Sequence, residues 1–173
     1  MELLALILIG YFLLRKQNSD GSFGNKTLGK ISYNELTTDM VRVRQYWPTI
    51  LSESLKKGID PCLTAAIIHR ESQGHADPPN PKAHGLMQVI TSTAKMFGFK
   101  GQINWLKDPK TNIQIGTNYL SYLLKRYKDW DKAISAYNWG SPTEKNRAYV
   151  KDIRELAKAY CASPSTVTPV VGG

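Results

Sequence analysis

The stretch IHRESQGHADPPNPKAHGLMQV, residues 68–89, ends an apolar run on a carboxylate and then turns abruptly polar. Upstream, Asp60-Pro61 marks a helix entrance, because proline costs nothing at the first helical position and an aspartate before it can cap the free amides. A helix that begins at Pro61 sets Leu63, Ile67 and Glu71 four residues apart on one stripe. Glu71 therefore continues an apolar face. Apolar surroundings disfavour ionisation, and the last helical turn carries the negative end of the helix dipole, so both effects raise the pKa of Glu71. A carboxyl group kept protonated near neutrality can act as a general acid, and glycosidic bonds are broken by protonating the leaving oxygen. The plainer alternative is a solvated glutamate on a frayed helix end.

Working outward, helical signals recur near 33–46, 47–57, 61–72, 91–98, 112–128, 129–138 and 143–160. Asp60-Pro61, Asp108-Pro109 and Pro142-Thr143 stand at entrances, and Gly58, Gly98 and Gly140 at exits. Residues 73–90 break the pattern with Pro, Gly, Asn and short β-branched pieces, which predicts loops and a small β element. The fold class expected is mainly α, as one helical domain over 31–160. The end of the chain, 161–173 (CASPSTVTPVVGG), reads as a tail rich in Pro, Ser and Thr.

At the other end, residues 3–14 (LLALILIGYFLL) form an unbroken apolar run closed by Arg15 and Lys16, and a polar stretch follows. This predicts a membrane anchor at 1–16 and a linker at 17–30. Twelve helical residues span roughly 18 Å, short of the roughly 30 Å hydrocarbon layer, so local thinning or snorkelling by Arg15 and Lys16 is required. No basic residue precedes the run and no small-residue cleavage site follows it, which favours an uncleaved anchor over a signal peptide. The cationic pair places the body on the cytoplasmic side, in conflict with a target outside the cytoplasm.

A chain of 173 residues with 42% hydrophobic and 21% charged residues suits one folded domain rather than a disordered or fibrous protein. Residues 61–173 carry 15 basic against 8 acidic side chains, a field that attracts polyanions, wall polymers among them. No basic stripe with interleaved aromatics and no reading motif accompanies it, so nucleic acid is not an expected partner. His69, His75 and His84 fit no common zinc spacing and no acidic or thiol cluster accompanies them, so a metal site is not expected. Cys62 and Cys161, far apart and outside any CxxC spacing, read as two small buried thiols, with a disulfide closing a loop of about 100 residues as the alternative.

In chain order, ES (Glu71-Ser72), GLMQ (Gly85–Gln88), DPKTNIQIGTNYL (Asp108–Leu120), AYNWG (Ala136–Gly140) and a late YV (Tyr149-Val150) resemble the soluble lytic transglycosylases, a family sharing the lysozyme-like fold with goose-type lysozymes. The resemblance covers about residues 58–155. It implies an α+β lysozyme-like domain acting on the glycan strands of peptidoglycan, with Glu71 as the single catalytic acid and base. It further implies cleavage between N-acetylmuramic acid and N-acetylglucosamine with formation of a 1,6-anhydro product, without cofactor. By the same resemblance Ser72, Gly85, Met87, Gln88, Tyr137, Asn138 and Tyr149 belong to the substrate site. Gly85 would let backbone approach the sugar, Gln88 would offer its amide, and Tyr149 would orient the acid through its hydroxyl. Tyr119, inside GTNYL, reads as helix packing.

Two departures from the family pattern stand out. Asn80 occupies the place of a serine in a loop one residue shorter, and Trp139 replaces a small residue, either as a sugar platform or as a cover for the core. A second carboxylate, Asp77, would permit a lysozyme-type hydrolysis instead, although an aspartate in a Pro-rich loop commonly forms a turn. A glycan-binding or structural assembly protein without activity is the third reading. The expected location is a membrane, reached through residues 3–14, with action on the periplasmic wall. An envelope-spanning apparatus or a virion membrane, with their proteins as partners, would supply the setting. The virion would also remove the orientation conflict.

Overall fold

The apolar run that ends on Glu71 lies at the centre of the molecule. In the computed structural model, which describes residues 33–162, this segment forms helix α3 (Pro61–Ser72), buried on every side from Cys62 through His69. The expected single apolar stripe is thus an all-round apolar helix, the mark of a core element. Asp60 caps it by accepting from the Cys62 amide at 2.9 Å, and Gln73 ends it in the left-handed region at φ 54°. The segments read as anchor, 3–14, and linker, 17–30, lie outside the described residues. Among the described residues, no helix is long and apolar enough to cross a membrane.

Around α3 pack α1 (Tyr33–Arg44), α2 (Trp47–Leu55) and, most extensively, α7 (Arg147–Ala162). A two-stranded antiparallel hairpin, β1 (Ala83–His84) and β2 (Val89–Ile90), pairs Ala83 with Ile90 and His84 with Val89. It is followed by the short α4 (Thr91–Met96), a 3-10 turn (Ile103–Lys107), the long α5 (Pro109–Tyr127) and α6 (Trp130–Trp139), which folds back on α5. α5 starts at Pro109, three residues before the expected boundary, because Asp108 caps it through the Thr111 amide at 2.8 Å. The segment expected as one helix over 143–160 divides into a 3-10 turn (Glu144–Asn146) and α7. The architecture is mainly helical with one small sheet, as expected.

One correction concerns the cysteines. They are not two thiols: Cys62 and Cys161 form a disulfide with Cα atoms 5.6 Å apart, closing a loop of 99 residues. It joins the first turn of α3 to the last turn of α7, which therefore extends to Ala162 into what reads as tail.

The hairpin is held by one fully buried side chain, Asn112 of α5. Its amide donates to the carbonyls of His84 and Leu106, both at 2.7 Å, and its oxygen accepts from the Met87 amide at 2.7 Å. Gly85 sits against it at φ 73°, where an added Cβ would lie 2.3 Å from the Asn112 nitrogen. On the same helix Gly116 makes room for Met87, whose sulfur would stand 2.4 Å from a Cβ there. Two hydrogen bonds of Asn112 and two side-chain-free positions thus dock the hairpin on α5, and a third bond ties the 3-10 turn to the same side chain.

Replacing both cysteines by serine should lower unfolding free energy by about 4 kcal/mol through the freed loop, read as a lower urea midpoint. Asn112→Ala buries two carbonyls and one amide without partners and should cost on the order of 3 kcal/mol, measured by the same titration.

Candidate functional site

Beside α3 lies a cavity of about 380 Å³, within the range that holds small ligands. Glu71 reaches it from the last turn of α3. Asn80, Ala83, Gln88 and Val89 line it from the hairpin side, Ile90 and Thr93 from the start of α4, Tyr119 from α5, and Tyr137 to Gly140 from the end of α6. Glu71 is the only acidic residue among them.

Glu71 is half-buried, and its Oε1 accepts a hydrogen bond from the Tyr149 hydroxyl at 2.5 Å. Tyr149 is 3% exposed and stands behind the carboxylate on α7 rather than on the cavity wall. Burial pushes the Glu71 carboxyl above its ordinary pKa; the Tyr149 hydrogen bond and the charge of Arg70 act against that rise without cancelling it. Burial, with the charge of Glu71, also holds the hydroxyls of Tyr137 and Tyr149 protonated far above the usual range, so both act as donors. Tyr137 donates to the Met87 carbonyl at 2.8 Å, which fixes its ring against the cavity.

On the opposite wall two amides lock each other. Asn80 accepts from the amides of Lys82 and Ala83, at 3.0 and 3.3 Å, and donates to the Gln88 side-chain oxygen at 2.7 Å. Gln88 in turn donates to the Gly85 carbonyl at 2.9 Å, from a backbone at φ 47°. A non-glycine residue in the left-handed region is uncommon, and this closed set of bonds is what holds it there.

The structure thus brings five of the expected site residues, Glu71, Asn80, Gln88, Tyr137 and Asn138, onto one cavity, with Tyr149 bonded to the first. Three others sit elsewhere. Ser72 is buried and its hydroxyl donates to the Ile68 carbonyl of its own helix at 3.0 Å. Met87 is fully buried against Gly116 and contributes its carbonyl to Tyr137. Gly85 is required by its close approach to Asn112, not by an approach to the cavity. Conversely, Tyr119, read as helix packing, lines the cavity, with its ring 5.4 Å from that of Tyr137. The signal was the spacing: Tyr119 lies three residues after Gly116 on the face that meets the hairpin. Trp139 is 58% exposed at the rim, so it does not cover the core.

Asp77 does not line the cavity and forms an ion pair with Lys107 at 3.0 Å. Among the described residues, the group of acidic, Cys or His side chains close enough to share a metal is Asp60, Cys62 and Cys161, where the two sulfurs are already bonded to each other. His69 is buried in the core, hydrogen-bonded to Tyr160 at 2.8 Å and, with its pKa lowered by burial to about 4, neutral near pH 7.

Residues 48–161 match the family described as the transglycosylase SLT domain. The chain is 33% identical over 141 residues to a transglycosylase of Enterobacteria phage PRD1, covering 74% of this chain and 49% of that protein. It is 40% identical over 116 residues to the membrane-bound lytic murein transglycosylase C of Photorhabdus laumondii, covering 58% of this chain and 32% of the relative. The chain therefore spans half or less of these relatives. Among solved structures, the 70-kDa soluble lytic transglycosylase in complex with bulgecin A superposes with a TM-score of 0.60 at 26% identity, over 72% of this chain and 26% of that one. An inactive mutant of lytic transglycosylase Slt from Pseudomonas aeruginosa superposes at 0.58 with 24% identity, over 65% of this chain and 23% of that one, and shows the fold alone. With its helical, lysozyme-like fold and a lone, half-buried glutamate on the cavity wall, the chain belongs to the transglycosylase SLT domain family.

Proposed function

We propose that this chain cleaves the glycan strands of peptidoglycan as a lytic transglycosylase, with Glu71 as both acid and base. The observation that carries the reading is the single carboxyl group on the cavity wall, partly desolvated and bonded to Tyr149 at 2.5 Å. Protonated Glu71 gives its proton to the oxygen leaving C1 of the muramoyl sugar, and the C1–O bond breaks. The resulting carboxylate takes the proton of the same sugar's C6 hydroxyl, whose oxygen closes on C1. The proton returns to Glu71, no water is added, and a 1,6-anhydro end forms. The Tyr149 hydroxyl stabilises the carboxylate between the two steps. Asn80, Gln88 and Asn138 offer amides to acetamido or peptide groups, while Tyr119, Tyr137 and Trp139 offer aromatic faces to sugar C–H groups.

A hydrolase would need a second group to activate water. Asp77, the candidate for that role, is exposed and paired with Lys107. The third alternative, a glycan-binding or structural protein without activity, leaves the desolvated, tyrosine-bonded carboxyl without a purpose.

The biological reading is local wall opening by an enzyme tethered to a membrane through residues 3–14, with the domain spanning 31–160. The similarity to a phage transglycosylase and the cationic pair after the apolar run favour a virion membrane over an envelope-spanning apparatus.

Digestion of purified peptidoglycan should yield ends one water lighter than hydrolytic products and resistant to borohydride, as read by mass analysis of the fragments. Glu71→Gln should lower the cleavage rate by about a hundredfold to ten-thousandfold while leaving the unfolding midpoint close to that of the parent; unchanged cleavage would overturn the reading. Because Glu71 must start protonated, activity should fall as pH rises through its elevated pKa. Trp139→Ala, which removes an exposed rim ring, should weaken substrate binding by about 1 kcal/mol, seen as a roughly fivefold higher KM at nearly constant kcat.

A further inference from the structure

Arg70 directly precedes Glu71, so the two side chains leave α3 about 100° apart and cannot face each other. Arg70 turns instead toward α7. Its Nε lies 3.7 Å from the Asp152 carboxylate, and its guanidinium carbon lies 5.8 Å from the centre of the Tyr149 ring. Asp152 and Tyr149 stand three residues apart on one face of α7, so a single planar cation spans both. The far end of that tyrosine is the hydroxyl that donates to Glu71.

We propose that Arg70 is a positioning residue for the acid: it pins the Tyr149 ring from behind and, through its charge, limits the pH range over which Glu71 can donate a proton. The inference rests on the reading of Glu71 given above. Its geometric part is the span from Asp152 across the ring. Its electrostatic part follows from which charges face Glu71. Tyr137 of α6 and Tyr149 of α7 face it as neutral phenols, and Arg70 on α3 is the cation whose charge acts on it. Burial raises the pKa of the carboxyl group, which makes it a more reluctant donor in the first proton transfer. A cation one residue away, partly offset by Asp152, moderates that rise. Both proton transfers then remain feasible at one pH.

The sign of each charge change gives the test. The full chain is assayed on purified peptidoglycan across pH, and the Glu71 carboxyl carbon is followed by carbon-13 NMR, assigned through its loss in Glu71→Gln. Arg70→Met removes the cation and loosens the tyrosine. Both changes favour the neutral acid, so the alkaline limb of kcat and the carboxyl titration should move up by on the order of one pH unit. Asp152→Asn leaves the cation less compensated, and both should move down. Arg70→Lys keeps the charge while loosening the ring and should lower kcat with a smaller upward movement of the limb than Arg70→Met. If Arg70→Met does not fold, the downward shift in Asp152→Asn decides the matter alone. Rates that fall at all pH values with limb and titration unmoved would make Arg70 a structural tie and overturn the inference. Cleavage that survives Glu71→Gln would instead overturn the assignment of the acid, a separate outcome.

Discussion

A carboxyl group at the end of a core helix needs a partner that will not fully ionise it, and the hydroxyl of Tyr149 is that partner. A hydrogen bond of 2.5 Å between α3 and α7 tolerates little drift, so the register of these two helices governs the site. Their contacts run the length of the pair. The disulfide joins their outer ends, Tyr160 beside it reaches His69 in the last turn of α3, and Arg70 reaches Asp152 beside the acid. Glu71 and Tyr149 close the end that opens on the cavity. Helix packing, which fixes side-chain positions to within fractions of an ångström, thus becomes electrostatic control of one proton.

The other wall has a different origin. Hairpins this short have little stability of their own, and this one borrows a floor from α5 through Asn112. Its bonds to the His84 carbonyl and the Met87 amide place Met87, whose carbonyl receives the Tyr137 hydroxyl. The same turn presents Gln88 to the cavity in a strained backbone held by Asn80 and Gly85. A buried amide in α5 therefore orients groups on three other elements. The family match begins at residue 48, so α1 lies before it. That helix still touches the site's foundation, since Arg42 donates to the Gln73 carbonyl at 3.1 Å, two residues after the acid, and also bonds Asp39.

Where local chemistry writes a rule, the sequence was legible. Asp-Pro pairs placed helix starts, the four-residue stripe ending on Glu71 pointed to a desolvated acid, and the ordered motifs pointed to the family. Residues whose roles depend on what folds against them were not legible in the same way. Nothing near Cys62 reveals that α7 returns to within 5.6 Å of it after 99 residues, so two separate thiols was the wrong reading. A glycine at position 85 signals a close approach without naming the partner, and the side chain that lies against it is Asn112, far away in sequence. Ser72, adjacent to the acid in sequence, points a third of a helical turn away and satisfies its own helix. Tyr119 was discounted because aromatic residues on long helices usually pack, and its place on the cavity depends on the hairpin lying across Gly116.

The tight seating of that hairpin has a mechanical consequence. With backbone and side-chain atoms already touching where a methyl group would go at Gly85 and Gly116, the hairpin has no slack with which to shift on α5. What latitude the enclosure has lies instead at its mouth, where the exposed indole of Trp139 is not clamped by the packing that fixes the hairpin.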